Sequence, residues 1–112
     1  MNHKIEMNNK VAVMSLEGNI LSDSDTKTAL ENVNEKIQEG HTKFAVDLSN
    51  LKFINSTGLS FLLIILTKTR KAGGETILCN IPEQLSKLLV MTKLNNVFTV
   101  TNSTIEAVSK LK

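Results

Sequence analysis

The chain has 112 residues, enough for one domain with a single core, and its apolar fraction of 41% is that of an ordinary globular protein. A formal net charge of +2, with lysines scattered rather than gathered in a stripe, argues against nucleic acid as a partner. The one cysteine, Cys79, excludes an internal disulfide framework and fits a reducing compartment. The first residues, Met1 to Glu6, lack the apolar stretch of a secretion signal, and the run Leu59 to Leu66 is too short to insert across a bilayer. A cytoplasmic protein is expected.

Lys4 to Met7 and Val11 to Leu16 read as two strands joined by a tight turn at Asn8-Asn9-Lys10. Ala12 and Met14 break the alternation of the second strand, so both of its faces are expected to be covered. Gly18-Asn19 is expected to end it. Ser22-Asp23-Ser24-Asp25 then carries the hydroxyls and acids of a helix start. Leu30, Val33 and Ile37 recur at helical spacing, and Gly40 stops the helix. A short buried strand follows from Phe44 to Leu48.

Asn55-Ser56-Thr57-Gly58 is a compact polar turn, and a helix is expected from about Thr57 to Lys71. Lys68, Arg70 and Lys71 suit the negative end of its dipole, and Gly73-Gly74 breaks it. Thr76 to Cys79 reads as another buried strand. Pro82 is placed to open a helix at its first position, with Leu85, Leu88 and Leu89 inward. Val97 to Val100 suits a last strand. Ser103 to Glu106 is a capping box, and Ile105, Val108 and Leu111 give the final helix its apolar side. The order ββαβαβαβα predicts one α/β domain over residues 1–112, with a single central sheet and about four helices.

The chemistry-bearing residues are few. Ser56 and Thr57 stand where free N–H groups and the positive end of a helix favour an anion, so a phosphate added there would be held. The same residue types also serve simply as caps. Asp47 lies at the carboxyl end of a strand, where it can accept N–H bonds from the following turn, and Ser49 reads as turn structure. No second carboxylate stands at a spacing for acid–base chemistry. His3 and His41 are remote from other ligands, which predicts no metal. Nothing pairs with Cys79, which reads as packing. No glycine-rich phosphate loop is followed by lysine, and Ser56 has no nearby base, so no catalytic residue and no cofactor are expected. Met1, Met7, Met14 and Met91 read as core or terminus. In the helix after the turn, Leu59, Leu62, Leu63 and Leu66 form a stripe suited to the sheet. Phe61, Ile64 and Ile65 are left sideways or outward, to be covered by flanking helices or by a partner.

Asp47-Leu48-Ser49 followed by Phe53-Ile54-Asn55-Ser56-Thr57-Gly58-Leu59 resembles the signature of STAS domains of the anti-sigma factor antagonist family. The likeness extends through Ala72-Gly73-Gly74, Leu78-Cys79-Asn80-Ile81 and Leu94 to Phe98. It implies a mostly parallel mixed sheet and a non-enzymatic binding module. Such a module, unmodified, captures an anti-sigma factor of kinase fold and so releases a sigma factor. It further implies phosphorylation of the residue before the glycine, Thr57 here with Ser56 as the secondary candidate, and a phosphatase that resets the switch. ATP would belong to the kinase. The partner surface is expected to include Asp23, Asn55, Ser56, Thr57, Gly58, Phe61 and Ile64, with Gly58 leaving room for a kinase to reach the hydroxyl. Two positions depart from the family pattern. Asn55 stands where an aspartate is usual, and Leu21 stands where many relatives have an acid after Gly18-Asn19-Ile20. Those departures leave open a second reading, a STAS module of a membrane transporter complex that uses the same surface without a phosphate cycle.

Overall fold

The computed structural model describes the backbone of residues 1–112 and every side chain except that of Asp23. β1 (Asn2–Asn8) and β2 (Val11–Ile20) form an antiparallel hairpin, with Asn2 opposite Glu17 and Asn8 opposite Val11. The two residues between, Asn9 and Lys10, take φ of 55° and 77°, the two left-handed conformations that a type I′ turn requires. Contrary to the sequence reading, β2 does not end at Gly18-Asn19 but runs on to Ile20. Gly18, at φ +93°, sits where the register against the next strand shifts. Its backbone freedom serves a bulge that lets the strand continue.

Ser22 caps α1 (Asp23–Gln38). Gly40 and His41 close it, their N–H groups bonding the carbonyls of Ile37 and Lys36 in a Schellman arrangement. β3 (Lys43–Ile54) is far longer than expected. Its first part, to Asp47, lies between β2 and β4 (Glu75–Cys79), whereas its second part pairs with β2 alone, as far as Ile20 opposite Ile54. α2 (Ser56–Lys71) follows and ends as α1 does, with Gly73 and Gly74 bonding the carbonyls of Arg70 and Thr69. After β4 come α3 (Glu83–Met91), a 3-10 turn at Leu94–Asn96, β5 (Thr99–Thr101) and α4 (Thr104–Leu111). Pro82 is the residue before α3 rather than its first residue.

The strands lie in the order β1-β2-β3-β4-β5, antiparallel only at β1/β2. This is the predicted α/β layout with a mixed, mostly parallel sheet. Met14, Leu16, Phe44, Val46, Leu48 and Leu78 face a core shared with α1, α2 and α3. On the other face Val11, Ala45, Ile77 and Cys79 meet Ala107, Val108 and Leu111 of α4. Both faces of β2 are thus covered, as its mixed pattern predicted. Three expectations fail. Ile105 is 84% exposed and Ala107 takes the inward position, while Met7 and Met91 are surface residues and not core.

Candidate functional site

Parallel pairing of Ile20 with Ile54 brings the ends of β2 and β3 to one edge of the sheet. A helix follows each strand, so the N-termini of α1 and α2 emerge side by side, and with them two sets of unpaired N–H groups. Asn55 joins the two. Its Oδ1 accepts from the N–H groups of Thr57 (3.0 Å) and Gly58 (3.3 Å), capping α2. Its Nδ2 donates to the Leu21 carbonyl at 3.0 Å, and its own N–H donates to that of Ile20. Only a neutral amide can do both, because a carboxylate would turn a lone pair toward the Leu21 oxygen. The Asn55 departure therefore has a structural function: it ties the loop before α1 to the start of α2.

The loop is held from its other side by Asp25. Oδ2 of that residue accepts from the N–H groups of Leu21 and Ser22 at 3.1 Å each. The Leu21 N–H, more than the opposing cost of desolvation, holds the Asp25 carboxyl below the usual carboxylate range. Gly58 is buried against the same strand ends. A Cβ there would lie 2.4 Å from Cγ1 of Ile54 and 3.0 Å from Cβ and Cγ2 of Ile20. The missing side chain is what allows α2 to sit down on β2 and β3.

Thr57 is the second residue of α2, half-buried, and its hydroxyl has no hydrogen-bond partner among the described residues. Ser56, the first residue, is exposed. Beside Thr57 lies a cleft of about 350 Å³ between α1 and α2, with Lys27, Leu30, Phe61 and Ile64 among the residues lining it. Ile64 is 40% exposed, but Phe61 is only 1% exposed and forms the floor, so it does not project outward as expected. The side chain of Asp23 lies outside the described residues. One apolar residue next to this turn was not assigned from the sequence: Leu21, 44% exposed, whose carbonyl accepts from Asn55.

Asp47 lies apart from this site, on the α4 side of the sheet. Its Oδ1 accepts from the Ser49 N–H and from Nδ2 of Asn80, at 3.0 and 3.1 Å. One of those donors is the expected turn amide; the other comes from a residue in left-handed conformation, Asn80 at φ 55°. Cys79 is buried, its thiol donates to the Val46 carbonyl, and burial pushes its pKa up. Among the described residues no three His, Cys, Asp or Glu side chains gather as a metal site, and no helix is long and apolar enough to cross a membrane.

A five-stranded mixed sheet whose second and third strands each release a helix beside an Asn-Ser-Thr-Gly turn is the layout of a STAS domain. The model of the STAS domain family matches residues 2–107, and the chain belongs to that family. Over 77 residues it is 26% identical to BtrV of Bordetella bronchiseptica, whose name describes an anti-sigma factor antagonist. That match covers 69% of this chain and 66%, just under two thirds, of the relative's length. The fold matches the Bacillus cell fate determinant SpoIIAA, solved in its phosphorylated form, with a TM-score of 0.77 at 20% identity over 99% of this chain and 100% of that one. An anti-sigma factor antagonist from Mycobacterium paratuberculosis matches with a TM-score of 0.81 at 22% identity, over 98% of this chain and 92% of the other. At these identities the likeness is one of fold.

Proposed function

We propose that this protein is a phosphorylation-switched binding module of the anti-sigma factor antagonist type, acting in the cytosol and without enzymatic activity of its own. Unmodified, it docks an anti-sigma factor with kinase activity through the edge where α1 and α2 begin, and so frees a sigma factor. Phosphate on Thr57 ends the contact, and a phosphatase restores it. The observation that carries this reading is the Thr57 hydroxyl, unpartnered among the described residues at the second position of α2, beside an apolar cleft. A phosphoryl group there adds about −1.5 to −2 charge and three acceptor oxygens. Facing two helix N-termini, it leaves the fold intact, so its effect falls on the partner. Asn55, Ser56 and Ile64 are the further contacts of this surface, whereas Gly58 and Phe61, both buried, support it by packing.

The test is co-precipitation from the protein's own cells with wild-type and Thr57→Glu forms, followed by affinity measurement on the kinase recovered. Loss of about 3 kcal/mol, more than a hundredfold in Kd, is expected for Thr57→Glu. A kinase-fold partner bound equally by both forms would refute the switch. The second reading, a module of a membrane transporter complex without a phosphate cycle, is favoured by the neutral Leu21 and Asn55 at this edge. It predicts a transporter subunit in both precipitates.

A further inference from the structure

The cleft beside Thr57 does not stop at the first turns of α2. Ile64 also lines a second hollow of about 350 Å³, which continues along α2 past Leu63 and Thr67 to Lys68 and Lys71. Thr57, Phe61, Ile64, Lys68 and Lys71 follow one another at helical spacing of three and four, so the two hollows form one trough. From Thr57 to Lys71 it runs about 21 Å, the length of some four helical turns.

Among the described residues its charge is one-sided. Lys27 stands on the α1 wall near Thr57, and Lys68 and Lys71 stand at the far end. None of the three has a carboxylate partner among the described residues. No described carboxylate lines either hollow. An apolar floor under three unneutralised cations repels a basic or neutral polar segment and complements an acidic one.

We propose that the trough receives an acidic amphipathic helix of the partner. Its apolar stripe would lie over Leu63 and Ile64, above the buried Phe61, its carboxylates against Lys27, Lys68 and Lys71, and one end over Thr57. This deepens the proposed function and rests on Thr57 as the switch, for which it supplies the direction. An anion at the mouth of the trough repels an acidic helix by charge and by volume, so modification releases the partner.

The probe is a helix-stapled peptide of about 15 residues with leucine at i, i+3, i+4 and i+7 and glutamate between, beside a twin with lysine for every glutamate. Binding to the isotope-labelled protein is followed by NMR shifts and fluorescence anisotropy. The glutamate peptide is expected to shift Lys27, Ile64 and Lys68, to weaken with added salt, and to lose at least tenfold in affinity to Lys27→Glu/Lys68→Glu/Lys71→Glu. Equal binding of the lysine twin, shifts elsewhere, no binding, or a dimer of this chain occupying the trough would overturn the proposal. Thr57→Glu separates the two ideas. If it weakens the peptide tenfold both stand, and if it leaves a trough-bound peptide unchanged the trough stands and the switch falls.

Discussion

Replacing Gly58 by alanine tests whether α2 is seated as described. The added Cβ would lie 2.4 Å from Cγ1 of Ile54 and 3.0 Å from two carbons of Ile20. Both neighbours are β-branched strand residues with little rotamer freedom, and both are buried, Ile20 at 0% and Ile54 at 4% exposure. Overpacking of this kind costs about 1–3 kcal/mol. Alanine returns up to about 1 kcal/mol of helix propensity, less in a first turn. A net loss of roughly 1–2 kcal/mol is therefore expected. Urea unfolding would show it as a lower midpoint at unchanged m. Ile54→Ala alone costs about 2–5 kcal/mol by opening a cavity, and in the double variant the new methyl enters that space, so the two costs add to less than their sum. A Gly58→Ala protein as stable as the wild type, or strict additivity with Ile54→Ala, would refute the close approach.

Three further outcomes follow from single residues. The first turn of α2 has no acid, so Thr57→Glu places a carboxylate at a vacant positive end and leaves thermal stability unchanged or raised by up to about 1 kcal/mol; a clear loss would mean the hydroxyl is structural. Asp25 has its folded pKa depressed by the Leu21 and Ser22 N–H groups, so its contribution is full above the unfolded value of about 3.9 and is lost as pH falls through the lower folded value. NMR titration should show the Leu21 and Ser22 amides shifting below that value in the wild type and not in Asp25→Asn. Lys10 holds φ 77° in the hairpin turn, a conformation costing a side-chain-bearing residue about 1 kcal/mol; Lys10→Gly should raise the urea midpoint, and a fall would contradict the type I′ assignment.

What the sequence disclosed was local chemistry. Ser22 to Asp25, Gly40, Gly73-Gly74 and Ser103 each mark a helix end with side chains or backbone freedom that act within one turn, and each marks it in the structure. The Asn55 to Gly58 turn was legible for the same reason. The second half of β3 was not. Ser49, Asn50 and Lys52 are polar because that segment pairs with β2 alone and projects past β4, so it lacks the pattern of a buried strand and fell outside the strand expected from Phe44 to Leu48. The angular position of Phe61 against Ile64 was equally hidden. Both are apolar at neighbouring steps of one helix, and the packing of α1 against α2 decides which of them is buried. The packing role of Gly58 was hidden as well, because its close contacts with Ile20 and Ile54 join residues distant in the chain.

The account turns on one hydroxyl changing its charge. Phosphosite mapping by mass spectrometry, on the protein recovered from its own cells across growth conditions, addresses this directly. A single phosphate on Thr57, its occupancy varying with conditions and absent from Thr57→Val, is the expected result. Protein unmodified at Thr57 under all conditions, or phosphorylated only on other hydroxyls, would contradict it.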